Sequence, residues 1–194
     1  MKLIFATANP HKAREAQDIL KQGVQLIVPA DLGYTQDIPE TGNTLESNAI
    51  QKARTIWNAF GLDCFADDTG LEVRALDGAP GVYSARYAGP NADAQANTAK
   101  LLSQLAGCTD RHAQFRCVIA LILNGKDYFF EGCVPGRILE TPQGDQGFGY
   151  DPVFVPNGYD CSFALMDPQE KNAVSHRKRA LDQLANFLSL GHIA

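Results

Sequence analysis

With 194 residues, 45% of them hydrophobic, the chain is long enough to bury a sizeable core in one folded unit, so a single domain over 1–194 is expected. A formal charge of −5 weighs against a nonspecific binder of nucleic acid or of an anionic membrane, since either needs a basic surface. No stretch approaches the roughly 20 apolar residues of a membrane span, and the apolar start Met1 to Ala6 is too short for a signal peptide. Five singly scattered cysteines (Cys64, Cys108, Cys117, Cys133, Cys161) lack a CxxC pair and fit reduced thiols, which points to a cytoplasmic protein.

Taken in chain order, Leu3 to Ala6 reads as a short buried strand and Pro10 to Gln22 as a helix with Ala13, Ala16, Ile19 and Leu20 on one face. Gln25 to Pro29 is a second strand. Ala30 to Asn43 is rich in turn formers, and Thr44 opens a helix carrying Ala49, Ile50, Ala53, Ile56 and Trp57 that Gly61 ends. Cys64 to Ala66 is the next strand, whose carboxyl end delivers Asp67 and Asp68 into a tight turn at Thr69-Gly70. Gly78 to Gly89 is a loop, and Ala92 to Leu105 a helix. Gln114 to Leu123 is a strand with alternate residues from Phe115 to Leu123 on one side, and Asn124-Gly125 predicts a hairpin into Tyr128 to Pro135. Residues 141–152 are loop, and Ser175 to Leu190 is a last amphipathic helix. Strands and helices in this order predict an α/β fold with a long central sheet.

Chemistry concentrates in a few places. Two adjacent carboxylates, Asp67 and Asp68, emerge from a buried strand, where unpaired like charges need a compensating cation; a divalent metal with hard oxygen ligands is the simplest one. Glu40, in a polar loop, and Glu46, in a first helical turn, are the two candidates for a further acidic ligand. Thr7-Ala8-Asn9-Pro10-His11-Lys12 joins the first strand to the first helix, where free backbone N–H groups attract anions. Lys12 adds a cation there, and Glu15, a turn on, is placed to hold it.

Two more patches lie towards the end of the chain. Gly147-Phe148-Gly149-Tyr150-Asp151-Pro152 combines aromatics, a carboxylate and backbone freedom, a loop able to meet a planar ligand. In Lys171 to Arg179 a helix cap and a run of cations coincide: with Ser175 as N-cap, His176 and Arg177 fall in a first turn whose positive charge calls for an anion.

These patches together resemble the inosine triphosphate pyrophosphatase family, from Phe5 to Leu181. The resemblance rests on Ala66-Asp67-Asp68-Thr69-Gly70-Leu71, Pro80-Gly81-Val82-Tyr83-Ser84-Ala85-Arg86-Tyr87, Gly147 to Pro152 and Ser175-His176-Arg177, in that order. It implies an elongated α/β fold with a mixed central sheet flanked by helices and two lobes around a substrate cleft. It also implies a homodimer and Mg²⁺-dependent hydrolysis of noncanonical purine nucleoside triphosphates (ITP, dITP, XTP) to the monophosphate and pyrophosphate. On this pattern Thr7, Ala8, Asn9, Pro10, His11 and Lys12 bind the triphosphate with Lys52. Asp68 is metal ligand and base, with Asp67 beside it and Glu40 as the other ligand. Thr69 touches substrate, Phe148 stacks on the purine within Phe148-Gly149-Tyr150-Asp151, and Asp151, Lys171, His176 and Arg177 surround its 6-oxo edge. Ala8 stands where the family commonly has glycine, which strains the cradle if that position needs positive φ. A nucleotide-binding sensor and a pyrophosphatase for modified pyrimidine nucleotides are the alternative readings.

Overall fold

The computed structural model describes residues 1–20, 23–91 and 93–190, with His11 described by its backbone alone. Its strands are β1 (Lys2–Phe5), β2 (Gln25–Ile27), β3 (Cys64–Val73), β4 (Pro80–Gly81), β5 (His112–Leu123), β6 (Lys126–Ile138) and β7 (Phe154–Pro156). Its helices are α1 (Pro10–Ile19), α2 (Leu45–Phe60), α3 (Ala94–Gln104), α4 (Pro168–Val174) and α5 (His176–Ser189). The strands join in the order β2-β1-β3-β5-β6-β7, with β4 also on β3. β1 is parallel to β2 and β3, whereas β4 is antiparallel to β3 and β7 to β6. The element pattern predicts the α/β class and the long sheet, and the mixed sheet flanked by helices is the one the resemblance implies.

The residues form two compact units. The first comprises Met1–Asp68, Cys117–Gly132 and the segment from Arg177 onward. Its core brings Leu3 and Phe5 of β1 and Phe65 of β3 against Ala16 of α1 and Leu181 and Leu184 of α5. Phe5 and Phe65, paired across the parallel register, stack with ring centroids 4.3 Å apart. The second unit comprises Thr69–Arg116 and Cys133–His176, and its core gathers Leu71, Leu101, Phe115, Phe154 and Phe163.

Local chemistry sets the ends of the elements near the functional residues. Thr44 caps α2 by accepting from the Ser47 N–H, and Gly61 closes it at φ +65°, both as predicted. Asn124 and Gly125, at φ +50° and +73°, make the hairpin between β5 and β6. β3 corrects one expectation: it does not turn at Thr69-Gly70 but continues to Val73. Gly70 marks a close strand approach instead, since a Cβ there would lie 2.5 Å from the Gly81 carbonyl oxygen of β4. β5 also departs from simple alternation, being buried on both faces from Cys117 to Leu123.

Three short elements, β4, β7 and α4, are additions to the predicted set. α4 carries a readable start signal, Asp167 accepting from the Gln169 N–H with Pro168 at the first helical position. α1 ends at Ile19 rather than Gln22, and Lys21 and Gln22 lie outside the described residues, as does Ala92 of the predicted third helix. Among the described residues no helix is long and apolar enough to cross a membrane.

Gly136 of β6, opposite Pro156 of β7, tests how tightly the second unit is packed. A Cβ there would collide with the Val155 carbonyl oxygen and come within 2.6 Å of the Phe154 ring. Gly136→Ala is expected to cost about 2 kcal/mol and to lower Tm by about 4–8 °C in a calorimetric scan. An unchanged Tm would show that β7 gives way freely.

Candidate active site

The site of the first unit is organised by the two-residue period of a strand. Asp67 and Asp68 are consecutive in β3, so their side chains leave on opposite faces. The Asp67 carboxylate, only 2% exposed, receives the Lys12 ammonium of α1 at 2.9 Å and the Arg177 Nε of α5 at 3.1 Å. Arg177 in turn donates from Nη1 to Glu15 at 3.0 Å. Glu15 is therefore a partner of Arg177, not the expected holder of Lys12, which reaches across 55 positions to Asp67 instead.

Asp68 meets a different set of groups, all from α2 and the loop before it. Its Oδ2 accepts from Asn48 Nδ2 at 3.1 Å and its Oδ1 from Lys52 Nζ at 3.3 Å. The same ammonium donates to Glu40 at 2.5 Å, so Lys52 joins the two acidic groups. Of the two glutamates considered as partners of Asp68, the structure brings Glu40 to this point.

These surroundings push the two aspartates in opposite directions. Burial alone would raise the Asp67 carboxyl, but Lys12, Arg177 and Lys52 outweigh it and hold the group well below the usual carboxylate range. For Asp68 burial is again the largest effect; Lys52 and the Asn48 hydrogen bond oppose it, Glu40 adds to it, and the net shift is upward. The Lys52 ammonium is raised despite its own burial, because Asp68, Asp67 and Glu40 surround it.

The loop ahead of α1 is tied by side-chain bonds: Asn9 N–H donates to the Thr7 hydroxyl at 3.1 Å, and Lys12 N–H to Asn9 Oδ1 at 3.3 Å. Ala8, Asn9 and Pro10 are exposed, while the His11 side chain lies outside the described residues. Ala8 replaces glycine without strain, for Asp77 and Asn124 are the only described non-glycine residues at positive φ. Across the described residues no group of three or more His, Cys, Asp or Glu side chains forms a metal-binding cluster. Asp68 and Glu40 are thus a two-carboxylate set, the number Mg²⁺ commonly takes with waters and substrate phosphates.

The second unit holds the aromatic loop. Phe148 is 72% exposed, and the Lys171 ammonium lies 4.9 Å from its ring centroid. Asp151 is buried and accepts from the Phe148 N–H at 2.7 Å and from Lys171 Nζ at 2.6 Å. Gly147 is needed here, since its φ is +83° and a Cβ would run into the Asp151 carboxylate. Tyr150 is buried and donates to the Ser84 carbonyl at 2.8 Å, while the Gly149 carbonyl accepts from Thr98, so these two residues anchor the loop. His176 stacks on Phe115, with centroids 5.0 Å apart and planes 14° apart. The Thr69 hydroxyl is buried and has no hydrogen-bond partner among the described residues.

Sequence reasoning missed two members of this arrangement, Asn48 and the Glu15–Arg177 pair. Asn48 had one readable signal, a polar residue four positions before Lys52 on a helix face that is otherwise apolar.

Comparison with known proteins matches residues 3–187 to the Ham1 family, and the chain belongs to that family. It is 51% identical over 189 residues to a dITP/XTP pyrophosphatase of Christiangramia forsetii, covering 97% of this chain and 100% of that one. A Bacillus subtilis protein of the same name is 45% identical, with 95% and 96% covered. Among solved structures, a HAM1 protein from Coxiella burnetii superposes with a TM-score of 0.93 at 41% identity, covering 98% of this chain and 99% of that chain.

The opposite shifts of the two aspartates predict opposite stability effects. A depressed carboxyl such as Asp67 adds stability above its unfolded value of about 3.9, lost as pH falls through the folded value; a raised one such as Asp68 subtracts stability progressively as pH rises from the unfolded value to the folded one, and fully above it. Asp67→Asn should lower Tm at pH 7 by about 6–12 °C, equivalent to about 3 kcal/mol for breaking a buried pair, with the gap closing below pH 4. Asp68→Asn, scanned without divalent metal, should raise Tm by about 2 °C. Equal losses for both variants would contradict the assignment of the two faces.

Proposed function

We propose that this chain hydrolyses noncanonical purine nucleoside triphosphates, dITP, XTP and ITP among them, to the monophosphate and pyrophosphate. The observation that carries the reading is the divided environment of Asp67 and Asp68. One carboxylate is sealed between Lys12 and Arg177 and stays ionised as structure, while the other is raised, 13% exposed and beside a second acid. Neighbouring carboxylates driven apart in this way mark a base and its support. The relatives' name, dITP/XTP pyrophosphatase, favours this over the sensor and modified-pyrimidine readings.

Asp68 takes the proton of a water whose oxygen attacks the α-phosphorus. The bond from that phosphorus to the bridging oxygen breaks, and its electron pair leaves with pyrophosphate. Asp68 and Glu40 are the hard-oxygen donors that would hold Mg²⁺, which when bound withdraws charge from the phosphates. Lys52, between those two carboxylates, and Lys12 offset the charge gathering on the leaving group, with Thr7, Ala8, Asn9, Pro10, His11 and the start of α1 as the phosphate cradle. Arg177 fixes Asp67 beside that cradle. The orphaned Thr69 hydroxyl gains a partner when substrate binds.

The base side belongs to the second unit. Phe148 offers an open ring face with Lys171 and Asp151 beside it, and His176, stacked on Phe115, is assigned with them to the base. Donors aimed at a 6-oxo group would be left facing the 6-amino group of adenine, and that mismatch rejects ATP. The whole chain then acts as one catalytic domain, proposed to work as a cytoplasmic homodimer.

Pyrophosphate release with Mg²⁺ present, measured on ITP, XTP, dTTP and ATP, tests the reading. ITP and XTP are expected to exceed ATP in kcat/KM by at least about 100-fold. No turnover of any of them, or faster turnover of dTTP, would overturn it. Asp68→Asn is expected to lose about 10³-fold in kcat, within the range set by loss of a general base. A variant as active as wild type would remove Asp68 from that role.

A further inference from the structure

We propose that Asn48 is a positioning residue for the acidic pair, setting the spacing between Asp68 and Glu40 through a single carboxamide. Asn48 lies in α2 and is fully buried. Its Nδ2 donates to Asp68 Oδ2 at 3.1 Å, and its Oδ1 accepts from the Gly42 N–H at 2.8 Å, two residues beyond Glu40. The carboxamide has one workable orientation: reversed, it would set its oxygen against the Asp68 carboxylate and its NH₂ against the Gly42 N–H. It therefore fixes the strand that carries one acid and the loop that carries the other to the same point of α2.

Neighbouring contacts give the loop a built seat on this helix face. Gln51, one turn along, accepts from the Thr41 N–H at 2.9 Å, and Lys52 donates to Glu40 at 2.5 Å. Positions 48, 51 and 52 share one side of a helix, so residues 40–42 are held at successive points along it. Gly42 is the residue that permits the approach, since a Cβ there would come 2.9 Å from Asn48 Oδ1 and collide with the Ser47 hydroxyl. By donating to Oδ2, Asn48 also restricts rotation of the Asp68 carboxylate and leaves Oδ1 to the Lys52 side.

The inference rests on the reading of Asp68 and Glu40 as metal ligands, and its test separates the two. Mg²⁺ is titrated calorimetrically into protein holding the non-hydrolysable α,β-imido analogue of ITP, and half-saturating Mg²⁺ is measured separately in ITP turnover. Asn48→Ala is expected to weaken Mg²⁺ binding by about 10–100-fold in both measurements, the range for removing a hydrogen-bond partner of a metal ligand. KM for ITP at saturating Mg²⁺ should move by less than about threefold, because Asn48 touches no proposed substrate group. Gly136→Ala, which disturbs packing in the second unit, should lower Tm and leave Mg²⁺ affinity unchanged. If Asn48→Ala does not fold, Gly42→Ala, which keeps Asn48 but forces the loop off it, is expected to give the same shift. Unaltered Mg²⁺ affinity in the folded variant overturns the inference while leaving the functional reading in place; a wild-type protein without Mg²⁺ binding or dependence overturns both.

Discussion

Everything at the candidate active site depends on β3 carrying two consecutive carboxylates through a buried region. Because side chains alternate along a strand, Asp67 and Asp68 leave on opposite faces and take different direct hydrogen-bonding partners, although the Lys52 ammonium acts electrostatically on both. Each face must supply its own cations: α1 and α5 supply Lys12 and Arg177 on one, and α2 supplies Lys52 on the other. The charge problem that adjacency creates is thus divided in two. On the first face burial is overcome by two direct cations, and the carboxylate becomes part of the scaffold. On the second, one ammonium is shared between two acids, and the carboxylate is left short of compensation, which is the condition for basicity.

The starts of the helices around the first unit place the cations on each face. α1 begins after a loop tied by Thr7 and Asn9, which places Lys12 in its first turn. α2 begins at a firm Thr44 cap, which fixes the helical phase of Asn48, Gln51 and Lys52 and lets them seat the Glu40 loop. The second unit solves a different problem, the presentation of an aromatic ring. Phe148 stays open because the loop around it is secured from within, by Asp151 on the Phe148 N–H and by the buried Tyr150 hydroxyl on Ser84.

Much of this was legible in the chain. The Thr44 cap, the Gly61 stop and the Asn124-Gly125 hairpin are local signals that the surroundings do not override. The gathering of Asp68, Glu40 and Lys52 followed from resemblance to known motifs rather than from spacing. What misled was also specific. Thr69-Gly70 looks like a turn because glycine commonly makes one, yet here it admits the Gly81 backbone of β4. Glu15 looks like a partner for Lys12 because it stands three residues away on a helix, yet Lys12 is claimed by a carboxylate 55 positions distant and Glu15 by Arg177, 162 positions distant.

By itself, then, the sequence determined the α/β class, the principal elements, the family and the residue types that bear the chemistry. These follow from periodicity, capping and motif, all properties of short stretches of chain. Only the tertiary structure decided which of two adjacent aspartates is sealed and which is poised, and that Asn48 joins the two acidic segments. A carboxylate's basicity depends on burial and on cations within a few ångströms, and those cations arrive from helices far away in the chain.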